Sequence, residues 1–237
     1  MMEYTSIEEL TGRHRIVREL VAVQSDDRVL EVGCSTGFWV NLYLRQRAPF
    51  AVGVDIDRED VRRGLTSARR APNTGAMPSF LVASGESLPF LNDSYSLVYC
   101  MDVLEHVANP EFTALEMSRV LKPGGRLVVT VPGKWVFDWL DPHWPEHRHY
   151  SLAAICNFFP NFALLAAHRT GLLWATFWGS YIRGALARAC KLVPNERART
   201  LLQKNINFCF GKVADLDCRL NYGIGSALAA VFAKPAS

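Results

Sequence analysis

Runs of apolar residues alternate with amphipathic segments along much of the chain. Short apolar runs rich in β-branched residues have the length of buried strands, and the segments between them repeat their apolar residues at helical spacing. The predicted strands are residues 28–32, 50–54, 79–83, 96–101, 126–131, 162–167 and 226–233. The predicted helices are residues 13–23, 38–46, 58–68 and 110–121. This alternation is typical of parallel strands joined by crossover helices, so the pattern predicts an α/β fold.

After the fourth predicted helix the rhythm loosens. Residues 122–125 (KPGG) predict a turn, because proline ends a helix and glycine accepts positive φ. The aromatic and histidine-rich residues 135–150 predict an irregular loop over one edge of the sheet. One or two helices are expected as an insertion over residues 172–210. We therefore expect a single domain, residues 1–237, in which the insertion forms a lid.

Composition supports a folded protein and narrows its partners. A hydrophobic content of 49% suffices for one buried core, and a net charge of +3 gives no general affinity for nucleic acid. The apolar run over residues 171–182 is shorter than the roughly 17 to 25 residues of a membrane-spanning helix. Residues 1–10 show no secretory signal, and the six cysteines form no CxxC pair. We expect reduced thiols, a cytoplasmic location and no nucleic-acid partner.

The insertion combines large aromatic side chains with basic ones. The aromatic residues are Trp174, Phe177, Trp178 and Tyr181, and the basic ones are Arg183, Arg188, Lys191, Arg197, Arg199 and Lys204. One interpretation is a hydrophobic lid over an apolar or lipid-linked acceptor, with the cations facing a phosphate or an anionic membrane surface. This would give the protein a peripheral membrane contact. The other interpretation is a helical pair with its aromatic residues in the core.

Candidate chemistry follows the first predicted strand. Residues 31–37 (EVGCSTG) lead from that strand into a helix, so their glycines let the backbone approach a ligand closely. Asp55 ends the second strand, where a carboxylate can accept hydrogen bonds from both hydroxyls of a ribose. The GxGxxG pattern of nicotinamide enzymes fails, because Ser35 and Phe38 stand at two glycine positions. Glu31 would oppose a pyrophosphate and favours a cationic amine or sulfonium. A plain strand-to-helix turn remains the alternative for the loop alone.

Four motifs, in this order and spacing, resemble those of class I S-adenosylmethionine-dependent methyltransferases. They are residues 31–37, residues 84–90 (SGESLPF), residues 102–106 (DVLEH) and residues 120–127 (VLKPGGRL). The resemblance covers about residues 25–135 and implies that this part is the cofactor-binding core. It implies a Rossmann-like sheet of seven mostly parallel strands, with helices on both faces and the last strand antiparallel. It also implies S-adenosylmethionine as the cofactor.

The resemblance assigns cofactor-binding roles to individual residues. Near the methionine half it implies Glu31, Gly33, Ser35 and Gly37. Near the ribose and adenine it implies Asp55, Ile56, Ser84, Gly85 and Glu86, and under the sulfonium Met101 and Asp102. Two of these depart from the family pattern, since Ser35 replaces a glycine and Ser84 an aspartate. Ser35 restricts the loop but has a small side chain, so we expect it to be tolerated. Ser84 can still accept a hydrogen bond weakly, so cofactor affinity rather than reaction type is put in doubt.

Histidines are the candidate bases. Methyl transfer from a sulfonium is an in-line displacement that needs alignment and no metal, whereas a hydroxyl acceptor also benefits from a base. The candidates are His106, His143, His147 and His149, of which His106 and His149 are preferred. A metal site that joins the loop histidines with Asp141 or Glu146 is disfavoured, because two prolines break the segment. For the loop histidines the alternative is a structural role, in which they only pack the loop. His14 is expected to be solvated.

The predicted function is transfer of a methyl group to an oxygen of a small-molecule or lipid-linked metabolite, such as a sugar, polyketide or quinone precursor. A carbon or nitrogen methyltransferase of the same fold is the first alternative. A non-catalytic module that binds the cofactor or a partner is the second. Ser35 and Ser84 favour the module, whereas Glu31 and Asp55 favour the enzyme.

Overall fold

Seven strands and five helices alternate along the part of the chain that the structure describes. The computed structural model describes residues 12–71, 75–134, 148–170, 186, 188–190, 193–202, 205–206 and 227–236. The helices are α1 (Gly12–Leu20), α2 (Phe38–Leu42), α3 (Arg58–Arg70), α4 (Pro110–Val120) and α5 (Leu152–Phe158). The strands are β1 (Arg28–Val32), β2 (Phe50–Asp55), β3 (Ser79–Val82), β4 (Tyr95–Met101), β5 (Leu121–Pro132), β6 (Ala163–Thr170) and β7 (Ala227–Ala233).

The strands form one sheet in the order β3-β2-β1-β4-β5-β7-β6. The neighbouring pairs among β1 to β5 are parallel, and β7 pairs antiparallel with both β5 and β6. The predicted seven-stranded, mostly parallel, Rossmann-like sheet with an antiparallel last strand is therefore confirmed. Because β1, β2 and β4 are parallel neighbours, their carboxyl ends meet at one edge of the sheet, which we call the carboxyl edge.

Each face of the sheet is covered by helices. Side chains alternate between the two faces of a strand, so Val29 joins one core and Leu30 the other. The core around Leu30 packs against α4 and α5 through Met117 and Ile155. Helices α1 and α2 cover the opposite face through Val17 and Trp39. Glu31 follows Leu30 and therefore lies on the face covered by α2.

Short polar residues cap two of the helices. The Asp57 carboxylate accepts hydrogen bonds from the backbone N–H groups of Glu59 and Asp60 at 2.7 and 3.0 Å, which satisfies donors at the start of α3. At the start of α5, Ser151 Oγ accepts from the Ala154 N–H at 3.1 Å. The acidic residue that follows β2 by two positions thus fixes where α3 begins.

Several predicted boundaries differ from the structure, among them those of α1, α2 and β5. Helix α1 ends at Leu20 instead of residue 23, and the helix predicted over residues 38–46 divides into α2 and a 3₁₀ turn, Leu44–Gln46. In that turn the buried Arg45 donates to the Ala68 carbonyl at the end of α3. Residues 122–125, predicted as a turn, belong to β5, whose pairing with β4 shifts register between Tyr95 and Leu97.

A buried ion pair closes the amino edge of the sheet, opposite the carboxyl edge. Asp27 lies just before β1, and its carboxylate accepts from Arg126 Nη2 at 2.6 Å, from Ser96 Oγ at 2.7 Å and from the Gln24 N–H at 2.7 Å. Asp27 is 4% exposed. These bonds tie β4, through Ser96, and β5, through Arg126, to the loop that precedes β1.

Most of the predicted insertion over residues 172–210 lies outside the described residues, including Trp174, Phe177, Trp178 and Tyr181. Within it, residues 196–202 are helical. Among the residues described, we find no helix with the length and apolar character needed to cross a membrane. The described cysteines Cys34, Cys100, Cys156 and Cys190 are free thiols.

Candidate functional site

The loop between β1 and α2, residues 33–37, folds across the end of β2. The backbone N–H groups of Gly33 and Cys34 both donate to the Val54 carbonyl, at 2.8 and 2.9 Å. Three residues in this loop have positive φ, at 73° for Gly33, 44° for Ser35 and 70° for Gly37. The loop therefore turns sharply at the carboxyl edge and leaves its backbone close to the ends of β1 and β2.

At Gly33 and Gly37, both the positive φ and the lack of space disfavour any residue with a side chain. A Cβ atom on Gly33 would lie 2.2 Å from Val103 Cγ2, and one on Gly37 would lie 2.4 Å from Phe80 Cε1. Ser35 adopts the left-handed region although it has a side chain. Its N–H donates to Asp55 Oδ2 at 2.7 Å, and its Oγ donates to Asp60 Oδ2 at 2.9 Å. Two carboxylates thus hold the strained residue in place.

Glu31 is a buried carboxyl beneath this loop. It is 4% exposed, and its Oε2 atom has no hydrogen-bond partner among the residues that the structure describes. Burial raises the pKa of Glu31 well above its usual value, the negative charge of Asp55 raises it further, and a hydrogen bond from the Val40 backbone opposes them. A buried carboxylate with an unsatisfied oxygen is costly, and a nearby cation would offset that cost.

The negative charge of the loop region is also visible at Cys34. Burial raises the pKa of the Cys34 thiol, and the charges of Glu31, Asp55 and Asp60 raise it further. Three carboxylates therefore act on one loop residue, and the cleft favours a positively charged ligand.

Asp55 and Ile56 stand at the end of β2. Besides the Ser35 N–H, the Asp55 carboxylate accepts from the Asp57 N–H at 3.0 Å, so each of its oxygens has one protein donor. A carboxylate oxygen accepts about two hydrogen bonds, so both retain capacity for a ligand. Ile56 is 75% exposed and leaves an apolar surface beside that carboxylate.

Residues 84–86 form a turn after β3. Ser84 Oγ accepts from the Glu86 N–H at 3.2 Å, and the Glu86 carboxylate accepts from the Asn109 N–H at 2.9 Å. Glu86 therefore ties this turn to the residue that precedes α4. A Cβ atom on Gly85 would lie 3.1 Å from a Val32 methyl group, so the turn packs closely on the end of β1.

Met101 and Asp102 end β4 beside the loop. Asp102 has a φ of 56°, and its N–H donates to the Thr130 carbonyl at 2.9 Å. The Thr130 hydroxyl in turn donates to Asp102 Oδ1 at 3.1 Å. Two bonds to β5 thus hold Asp102 in a conformation that an L-residue rarely adopts, at the meeting point of β1, β4 and β5.

A family model described as a methyltransferase domain matches residues 30–129, which run from β1 into β5 and include every predicted cofactor-binding residue. Residues 30–129 are therefore a methyltransferase domain. The resemblance drawn from the four motifs is confirmed, and with it the cofactor.

Two curated relatives and one solved structure extend this finding. A demethylmenaquinone methyltransferase from Renibacterium salmoninarum is 30% identical over 146 residues, or 60% of this chain and 57% of the relative. A ubiquinone biosynthesis O-methyltransferase from Aliivibrio fischeri is 33% identical over 115 residues, or 48% of this chain and 47% of the relative. The chain spans about half the length of these relatives. The crystal structure of the 4+2 cyclase SpnF shares the fold, with a TM-score of 0.66 at 21% identity over 94% of this chain and 80% of that one.

The methyltransferase domain fits its cofactor on structural grounds. S-adenosylmethionine carries a sulfonium and an ammonium group, and the cleft offers the unsatisfied oxygen of buried Glu31 among several carboxylates. Asp55 retains acceptor capacity for the ribose hydroxyls, and exposed Ile56 offers an apolar face for adenine. Within the described ranges no group of histidine, cysteine and acidic residues could hold a metal.

The two preferred histidines lie on segments that touch. His106 is exposed and belongs to a turn over residues 104–106, ahead of α4, which begins at Pro110. His149 lies in the segment 148–150, which is hydrogen-bonded to residues 104–108, and both its ring nitrogens are shielded from solvent. His143, His147, Asp141 and Glu146 lie outside the described residues.

His14 corrects another expectation. Instead of being solvated, its ring packs edge-on against Phe38 at 5.1 Å between centroids and lies 5.6 Å from the Trp39 ring. These contacts place α1 beside the start of α2. The expectation failed because the polar character of histidine gave no sign of aromatic neighbours that are distant in sequence.

Sequence reasoning missed four residues that shape the site. They are Asp60, which holds Ser35; Val103, which fills the space over Gly33; Thr130, which holds Asp102; and Tyr150, which holds residue 104. Thr130 carried a usable signal, because it is a lone hydroxyl in the otherwise apolar residues 127–132 of β5. The other three act through contacts between distant segments and leave no local pattern.

Proposed function

We propose that this protein transfers the methyl group of S-adenosylmethionine to an oxygen atom of a small-molecule or lipid-linked acceptor. The observation that carries the proposal is the cluster of carboxylates around the loop, with an unsatisfied oxygen on buried Glu31. Such a cleft favours a cationic cofactor over a pyrophosphate. The names of the two quinone-pathway relatives support a small, ring-containing acceptor.

Each residue of the cleft has a distinct task in this proposal. Asp55 accepts hydrogen bonds from the ribose hydroxyls, and Ile56 covers the adenine ring. Glu31 supplies negative charge near the methionine half. Met101 and Asp102 form the passage from the cofactor to the acceptor. When bound, S-adenosylmethionine supplies an activated methyl group, so the protein has chiefly to align the acceptor with it.

Oxygen as the acceptor atom is supported by the histidines beside this passage. A hydroxyl must lose its proton when it is methylated, and histidine is suited to accept a proton near neutral pH. His149 is our candidate base, because its segment is hydrogen-bonded to the residues that follow Asp102. His106, exposed on the neighbouring segment, is the second candidate.

Calorimetric titration of the purified protein with S-adenosylmethionine, S-adenosylhomocysteine and NAD tests the cofactor. Saturable binding of the first two and not of NAD is expected. Mass spectrometry then tests the acceptor atom with three probes: protocatechuate for oxygen, demethylmenaquinol for carbon and sarcosine for nitrogen. A gain of one methyl on protocatechuate alone supports the proposal. Methylation of another probe would establish a carbon or nitrogen methyltransferase, and binding without any transfer would favour the non-catalytic module.

A lipid-linked acceptor is supported by the described part of the insertion. Leu201 and Leu202 are 61% and 42% exposed, and Arg197 is exposed four residues before Leu201. Exposed leucines beside a cation are typical of helices that lie on anionic membranes. Co-sedimentation with phosphatidylglycerol vesicles, but not with phosphatidylcholine vesicles, is expected. The variant Leu201→Ser/Leu202→Ser should remain in the supernatant, and equal sedimentation of both proteins would contradict this part of the proposal.

A further inference from the structure

The segment 148–150 lies beside the end of β5. The Tyr150 N–H donates to the Pro132 carbonyl at 2.9 Å, and the Lys134 N–H donates to the Tyr150 carbonyl at 2.7 Å. Gly133 and Tyr150 form an isolated parallel bridge. The backbone of Tyr150, directly after His149, is thus anchored to the carboxyl edge of the sheet, where the acceptor must approach.

The side chains that flank His149 bind the segment after β4. The hydroxyl of Tyr150 donates to the Leu104 carbonyl at 2.9 Å, and this contact is buried, with the tyrosine 7% exposed. The Arg148 guanidinium donates to the Val107 carbonyl and, at 3.1 Å, to the Ala108 carbonyl. We call Arg148 and Tyr150 the clamp. Its three bonds go to backbone carbonyls, so they fix the path of the chain without depending on neighbouring side chains.

The clamped segment is continuous with the cofactor cleft. Leu104 follows Val103, whose methyl group occupies the space directly over Gly33, and Val103 follows Asp102. Through this short path the hydrogen bond of Tyr150 fixes the distance between His149 and the cofactor loop. Because α4 begins only at Pro110, the carbonyls of Leu104 and Val107 lie outside the helix, and the clamp supplies donors to them.

We propose that Arg148 and Tyr150 are positioning residues for methyl transfer, which hold His149 against the segment that carries Asp102 and His106. The inference rests on the proposed function, since it concerns the base of the same reaction. It goes further by naming two residues that touch neither cofactor nor acceptor and yet determine the geometry between the two.

The test compares Tyr150→Phe and Arg148→Met with the control Tyr95→Phe. Tyr95 is a buried tyrosine at the start of β4, so its variant makes the same chemical change at the amino edge of the sheet. With the probe that the wild type methylates, each clamp variant should lower kcat about tenfold, because small displacements of reacting groups cost that much or more. Affinity for S-adenosylmethionine should stay unchanged, the midpoint of the acidic limb of the kcat–pH profile should move, and Arg148→Lys should recover part of the loss.

Nuclear magnetic resonance of the imidazole signals in the S-adenosylhomocysteine complex provides a readout independent of any acceptor. The His149 signal should shift in both clamp variants, while the His168 signal on β6 stays in place and Tyr95→Phe matches the wild type. Arg148 is exposed, so Arg148→Met keeps the test valid if Tyr150→Phe does not fold. An unchanged His149 signal in the complexes of the clamp variants would overturn the inference. So would clamp variants that keep the wild-type kcat and pH profile and only have a lower unfolding midpoint. Failure of the proposed function would instead appear in the wild type, as absent cofactor binding.

Discussion

Replacing Gly33 by alanine tests how closely the cofactor loop packs against the segment after β4. At this position the chain has a φ of 73°, and an added Cβ would lie 2.2 Å from Val103 Cγ2. Gly124 offers a matched control, since its φ is 71° and no atom lies within 4 Å of an added Cβ. The two substitutions therefore share the backbone penalty and differ in crowding.

The expected magnitudes follow from these two contributions. The left-handed region costs an L-residue about 1–2 kcal/mol, which is the whole expected effect of Gly124→Ala on the free energy of unfolding. Forcing an extra methyl group into occupied space adds about 1–3 kcal/mol at Gly33, because Val103 must move. Gly33→Ala should therefore destabilise the protein by about 2–5 kcal/mol. It should also weaken S-adenosylmethionine binding, since Asp102 precedes Val103 directly.

Urea unfolding followed by tryptophan fluorescence measures both effects, and calorimetry measures the affinity. Val103→Ala removes the two methyl groups that crowd the site, so in a double-mutant cycle it should offset about 1–3 kcal/mol of the Gly33→Ala penalty. Two results would refute the idea that Val103 excludes a side chain at Gly33. One is an equal loss of unfolding free energy in Gly33→Ala and Gly124→Ala, and the other is a double-mutant cycle without coupling.

Three further predictions concern single carboxylates. Because burial raises the pKa of Glu31, the folded ligand-free protein binds this proton more tightly than the unfolded chain, and its stability should fall as pH rises from about 4.5 towards the folded pKa. Over the same range S-adenosylmethionine affinity should increase, and Glu31→Gln should abolish both trends in urea midpoints and calorimetry. Asp55→Ala should weaken S-adenosylmethionine binding by about 1–3 kcal/mol, with a smaller loss in Asp55→Asn, and an unchanged Kd would remove the ribose assignment. Asp27→Ala leaves Arg126 half-buried without its partner and should cost about 3–5 kcal/mol of unfolding free energy, yet it should not alter the Kd, because it lies at the amino edge.

Local sequence patterns were sufficient to predict the sheet and the place of the cleft. The β-branched run 28–32 is β1 without change, and the strand predicted over residues 50–54 became β2 with one added residue, Asp55. In both cases a buried parallel strand needs a continuous apolar run, so burial and sequence coincide. The glycines after β1 could also be interpreted from the sequence, because tolerance of positive φ is a property of glycine itself.

Contacts between distant segments could not be predicted in the same way. The helix predicted over residues 38–46 divides where Arg45 reaches the end of α3. KPGG lies within β5 because Leu121 before it and Arg126 after it both pair with β4. The bond from Tyr150 to Leu104 spans more than forty residues. None of these contacts depends on periodicity or propensity, so each could be identified only in the folded structure.

The buried Asp27–Arg126 pair has a consequence for how this domain can evolve. It closes the amino edge of the sheet, whereas every residue assigned to cofactor or acceptor lies at the opposite edge. Substitutions that change the acceptor specificity can therefore accumulate without disrupting the interactions that stabilise the sheet. A library that randomises His106 and His149 while Asp27 and Arg126 stay fixed should yield mostly folded members, which makes this chain a practical starting point for directed evolution.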